Sequence, residues 1–204
     1  MARLFVTQGH ALDNMSLEQK IELVLASVTL NNIQMVDFLV RDCNICVRGA
    51  GRHGDTALVL AVKFAYVQMA DLLLPYSAHI DQLHGGRTVL HTCIGLSNLT
   101  PTRSEMIRML LQRGANPQVV NRFRESPLQL AVRFMSLDMV NALLDGGADI
   151  NNVNFTGDTA LHVAVNHRFI EMIHLLRRPL QTDVCEGTLV LGPATHDVCR
   201  KGAL

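Results

Sequence analysis

The sequence predicts an all-α solenoid, a row of stacked helix–turn–helix units joined by extended turns, and three observations predict it. The first is a repeated opening: Thr56-Ala57-Leu58-Val59-Leu60-Ala61, Thr88-Val89-Leu90-His91-Thr92-Cys93, Ser126-Pro127-Leu128-Gln129-Leu130-Ala131 and Thr159-Ala160-Leu161-His162-Val163-Ala164, with starts 32, 38 and 33 residues apart. The second is a repeated ending of an apolar run and a small-residue stop: Leu72-Leu73-Leu74 then Ser77-Ala78, Leu110-Leu111 then Gly114-Ala115-Asn116, Leu143-Leu144 then Gly147-Ala148-Asp149. The third is a core made of aliphatic residues. Hydrophobic residues make up 49% of the 204, yet aromatics are 4% and Trp is absent, as thin stacked helices require.

The elements follow in order. After an N-terminal segment, 1–15, Ser16 with Gln19 makes a capping-box pattern that opens a helix from about Leu17 to Val28. Met35, Val36, Phe38 and Leu39 supply its partner, so residues 16–51 form a first unit without the repeated opening. Units at 52–83 and 84–121 follow. In the third, the interval from Cys93 to Ile107 exceeds that from Ala131 to Val140 by five residues, and the extra length falls between Gly95 and Ser104. Insertions of this kind go to the helix–helix loop, here either a neutral bulge or an added partner contact. Ser104 is expected to cap the helix that follows. In the fourth unit, 122–154, Ser126 caps and Pro127 fits the first helical turn; Met135-Ser136 turns the chain, and Gly147 stops the second helix. Ala61, Ala131 and Ala164 are small where neighbouring helices approach. In the fifth, 155–179, Phe169, Met172, Ile173, Leu175 and Leu176 form the outer helix, which Pro179 is expected to end. The remainder, 180–204, follows neither period and reads as a flexible tail or a loose cap.

A period near 33 with a T-P-L-H-x-A opening and a G-A-D/N ending resembles the ankyrin repeat, over residues 16–179, about 80% of the chain. The resemblance implies β-turn fingers and a concave groove lined by finger tips and inner helices, where partners bind. It gives His91 and His162 a structural task, bonding backbone and the hydroxyls of Thr88 and Thr159. Val59 and Gln129 replace that histidine elsewhere, as a required catalytic group would not allow. Carried over by position, the partner-binding candidates are Arg52, Lys63, Phe64, Arg87, Arg122, Phe123, Arg124, Arg133, Phe134, Phe155, His167 and Arg168. A cation followed by an aromatic recurs at one place, Lys63-Phe64 and Arg133-Phe134, and such pairs are common binding hot spots. Two placements are open to those rings, in the groove or inward between repeats. Arg124 stands where the family has glycine, which puts the turn at that tip in doubt.

Other function classes find little support. Eighteen basic residues balance eighteen acidic ones, so no overall field points to nucleic acid or an anionic membrane. No apolar run approaches the roughly 20 residues of a membrane span. Five cysteines, Cys43, Cys46, Cys93, Cys185 and Cys199, form no disulfide framework, which favours a reducing, intracellular setting, cytoplasmic or nuclear. Cys43-Asn44-Ile45-Cys46 is a C-x-x-C, but the residues that could complete a zinc site, Cys185, His196 and Cys199, lie at the other end of the stack. Cys43 also occupies the family's helix-ending glycine position. No nucleophile motif, phosphate loop or dinucleotide fingerprint occurs. The sequence therefore predicts a non-enzymatic, cofactor-free, monomeric module that binds a partner protein. An adaptor or regulator, of the kind found in ubiquitin-ligase substrate receptors or NF-kappa-B inhibitors, is the alternative. A metal or redox protein using Cys43 and Cys46 ranks below both.

Overall fold

The computed structural model describes residues 15–45, 47–51, 54–77, 79–96 and 101–182. Most of the N-terminal segment and the tail from 183 onward, with both tail readings, lie outside them, as do Cys46 and Arg52. The chain divides into two compact units, Met1–Ala115 and Asn116–Leu204. The first holds α1 (Leu17–Thr29), α2 (Ile33–Arg41), α3 (Ala57–Lys63), α4 (Val67–Leu73, extended by a 3-10 turn), α5 (Val89–Ile94) and α6 (Pro101–Gln112). These pair as α1–α2, α3–α4 and α5–α6, and α3 packs between α1 and α5. The second unit holds α7 (Pro127–Arg133), α8 (Leu137–Asp145), α9 (Ala160–Asn166) and α10 (Ile170–Thr182), with α7 against α8 and α9, and α9 against α10.

Each repeated opening makes a helix through its first residue. Thr56, Thr88, Ser126 and Thr159 are extended, and their side chains accept from the backbone N–H of Val59, His91, Gln129 and His162. One orphan donor of each helix start is thereby satisfied. Helices of six or seven residues have little stability alone. Packing holds them: Ala61, Ala131 and Ala164 are completely buried, with Leu90, Leu128 and Leu143. The turns after α3, α7 and α9 pass through a left-handed residue, Ala65, Met135 and Arg168, at φ of 58°, 56° and 54°. Gly147, at φ 81°, closes α8, and Ala148 N–H returns to the Leu143 carbonyl at 2.9 Å.

The irregular spacings have physical causes. The 32-residue interval reflects a finger one residue shorter than the others. His84 and Arg87 face each other across Gly85-Gly86, both at positive φ, as a two-residue turn demands. The 38-residue interval comes with the insertion. Its last residues are helical: α6 begins at Pro101, so Ser104 lies within the helix rather than capping it. Arg103 is buried, and its guanidinium donates to the Cys93 carbonyl at 2.9 Å and to the Lys63 carbonyl at 3.3 Å. Those carbonyls belong to the last turns of α5 and α3, where backbone acceptors lack helical partners and a cation is favoured. This part of the insertion ties two inner helices together.

One feature of the first repeat agrees with expectation, and two others, in the first and fifth repeats, depart from it. The first helix pair lacks the repeated opening but stacks like the rest. A Cβ at Gly49 or Gly51 would stand 2.2 Å from Ile21 Cδ1 or 2.4 Å from Leu25 Cδ1, so glycine permits the close approach to α1. Asn44, not Cys43, takes the left-handed conformation after α2, at φ 49°. In the second unit α10 continues to Thr182, past Pro179. A proline removes one N–H from the ladder without forbidding the helix to go on.

Arg103→Met, which keeps much of the volume and removes the donors, should cost about 2–3 kcal/mol, since hydrogen bonds from a charged donor to buried acceptors are lost. Urea melts of the two proteins check this. An unchanged midpoint would show that the insertion holds nothing.

Candidate functional site

The finger tips are built by asparagine. In the fourth finger the Asn121 side-chain oxygen accepts from Phe123 N–H at 2.8 Å and Glu125 N–H at 3.0 Å, while Asn121 N–H reaches the Glu125 carbonyl at 2.9 Å. Asn154 does the same in the fifth, accepting from Thr156 N–H at 3.0 Å and Asp158 N–H at 2.9 Å. Such side-chain-to-backbone bonds hold a tight turn without burying its tip. Arg124 takes φ 53° where Gly54, Gly86 and Gly157 take 79°. The turn doubted on account of that arginine is therefore kept, at a conformational cost of about 1 kcal/mol relative to glycine.

The tips of the second unit gather aromatic faces and guanidinium groups. Phe155 is 68% exposed and Phe123 49%. The Arg122 guanidinium lies 4.7 Å from the Phe123 ring centre, and that of Arg124 lies 5.9 Å from the Phe155 ring of the next finger. These are cation–π distances. The four residues form one exposed patch across two fingers.

The two recurring cation–aromatic pairs have a different character. Lys63 Nζ is 2.7 Å from both carboxylate oxygens of Asp55, and Arg133 pairs with Glu125, whose side chain is buried. Each acid stands eight residues before its cation, at the base of the finger of the same repeat. Phe64 is exposed and stacks on Tyr66 at 5.6 Å, and Phe134 is half-buried. In the third repeat Arg87 replaces the acid and Gly95 the cation, with the exposed Arg87 guanidinium lying against Gly95. His167 and Arg168 are exposed at the turn after α9. Asp71, on α4, is bound to Arg113 at 2.6 Å.

The histidines of the opening act as supports. Thr88 Oγ1 and His91 Nδ1 lie 2.8 Å apart, and Thr159 Oγ1 and His162 Nδ1 2.9 Å. Gln129 takes over the role with more reach. Its side-chain oxygen accepts from Ser126 N–H at 2.9 Å, and its amide donates to the carbonyls of Asn152 at 3.0 Å and Asp158 at 2.6 Å. His91 is fully buried, and burial, helped by the charge of Arg87, lowers its pKa from 6.5 to about 4. The Cys93 thiol is pushed up to about 12 by burial, against the opposing pull of Arg103, and so stays protonated. Among the described residues no three His, Cys, Asp or Glu converge as metal ligands, and no helix is long and apolar enough to cross a membrane.

Short capped inner helices, left-handed turns and hydrogen-bonded fingers, repeated in both units, define a class of repeat proteins built to display a surface. The family model for ankyrin repeats matches residues 23–121 and 102–186. The chain belongs to the ankyrin-repeat family. It is similar to ankyrin repeat, SAM and basic leucine zipper domain-containing protein 1 of Loxodonta africana, 30% identical over 116 residues, covering 57% of this chain and 24% of that protein. The Otolemur garnettii counterpart is 29% identical over 117 residues and that of Bos taurus 29% over 116, with the same shares covered. The chain thus spans about a quarter of the length of the curated relatives it matches. Ankyrin repeats generally mediate protein–protein interaction, and the family is typically non-enzymatic.

Two outcomes follow from these contacts. Arg133→Glu should lower stability by about 1–3 kcal/mol, because it strands the buried Glu125 carboxylate beside a like charge. Arg122→Glu, on an exposed tip, should change the melting midpoint little, and equal midpoints for the two variants would contradict the pairing. His91 sets a pH dependence. Its pKa is lower in the fold than in the unfolded chain, so its full contribution is present above pH 6.5 and is lost as pH falls toward about 4. The loss amounts to about 3 kcal/mol. His91→Gln, copying Gln129, should flatten that fall in a pH series of thermal melts, and an unaltered slope would overturn it.

Proposed function

We propose that this chain is a non-enzymatic protein-interaction module that takes a partner protein on its fingers and inner helices, with the finger patch of the second unit as the main contact. The observation that carries this reading is the juxtaposition of Phe123 and Phe155 with Arg122 and Arg124 on hydrogen-bonded turns. Large exposed rings beside guanidinium groups are the residue types that dominate binding energy. The turns are already ordered, so little entropy is lost when a partner docks.

A second reading, adaptor, draws support from the relatives' names. They join ankyrin repeats to SAM and basic leucine zipper domains in one chain. In that reading the repeats hold a target while another segment recruits further proteins.

Affinity capture from a native lysate, followed by quantitative mass spectrometry, tests the first reading. Phe123→Ala combined with Phe155→Ala should deplete the captured partners severalfold, while Arg177→Glu on the outer helix α10 should leave them. Equal capture by all three proteins would sink the proposal.

A further inference from the structure

We infer that the finger patch of the second unit recognises an acidic and apolar peptide segment, its carboxylates on Arg122 and Arg124 and its apolar side chains on Phe123 and Phe155. The inference rests on the interaction reading above and adds the chemistry of the partner.

Charge complementarity is the first support. Arg133 in the same unit is already paired with Glu125, but among the described residues Arg122 and Arg124 pair with no carboxylate; each lies over a ring instead. A guanidinium over an aromatic face keeps its N–H edge available, and that edge matches a carboxylate with two parallel hydrogen bonds. The acids nearest in sequence are engaged elsewhere. Glu125 is buried, and the Asp158 carboxylate accepts from the Thr156 hydroxyl at 2.6 Å.

The backbone supplies an independent support. Three fingers place glycine at the left-handed position and the fourth places arginine there. Glycine would fit that position without strain, so the strain is matched by what the Arg124 side chain does, and its one described contact is the ring of the neighbouring finger. The two fingers are thereby joined into a surface on which one extended segment can lie.

A polyanion such as RNA fits less well. The free cations of the patch are two, charge over the whole chain is balanced at 18 against 18, and sequence-independent nucleic-acid binding needs many phosphate contacts. The rings alone could stack bases, so RNA is the competing outcome.

Fluorescence anisotropy with the full chain separates these. The probes are a short labelled peptide alternating glutamate and leucine, the same peptide with glutamine for glutamate, and labelled oligouridylate. The acidic peptide should bind most tightly and weaken as salt rises. Arg122→Gln and Arg124→Gly should each weaken it roughly tenfold, the scale of one charge-assisted contact. Arg124→Gly should melt no lower than wild type, since glycine relieves the turn, so its loss of binding cannot come from unfolding. Equal binding of the glutamine peptide, tighter binding of oligouridylate, or an Arg124→Gly protein that binds like wild type would each overturn the inference. If the acidic peptide fails while partner capture still depends on Phe123 and Phe155, the acidic preference is overturned and the interaction reading stands.

Discussion

The hydroxyl at the start of each inner helix is the interaction on which the other features depend. Thr56, Thr88, Ser126 and Thr159 end an extended finger and, within one residue, begin a helix by accepting the N–H three positions on. Without that bond a helix of six or seven residues would fray from the end that must sit under its finger. The finger, the fourth residue of the opening and the pairing of finger base with helix end all take their positions from that junction. Lys63 can reach Asp55, and Arg133 can reach Glu125, only because the helix between them starts at a fixed place.

The same junction explains what could be read from residues alone. Caps, left-handed stops and apolar spacing act within a few residues, so Ser16 with Gln19, Ser126 with Pro127, and Gly147 announced their elements correctly. The repeated His91 and His162 were legible as supports because their partners sit three residues away. Interactions across repeats were not legible. Arg103 lay in what looked like surplus loop, and its acceptors belong to helices ten and forty residues back in the chain. Arg124 appeared to break the finger pattern, yet the asparagine three residues earlier holds the turn with arginine in place.

Candidate contact residues divided along similar lines. The cation–aromatic doublets Lys63-Phe64 and Arg133-Phe134 stood out as pairs in the sequence, but each cation is answered by an acid from its own finger. What the structure brings together instead is Arg122 with Phe123 and, across two fingers, Arg124 with Phe155. Balanced composition therefore conceals an uneven surface, in which acids are drawn to finger bases and two arginines are left at the tip of the fourth finger.

Gln129 has a consequence for how the fifth repeat behaves. Its amide holds two carbonyls of the following finger, while its oxygen stays on its own helix cap. In a one-dimensional stack, each unit's persistence is the sum of its own folding and its coupling to its neighbour. A hydrogen-bonded side chain that is almost wholly buried puts much of that coupling into a single residue. The fifth repeat cannot open by itself without breaking both bonds of the buried Gln129 amide, so its opening is coupled to the fourth. At this junction two neighbouring repeats are made to breathe as a pair.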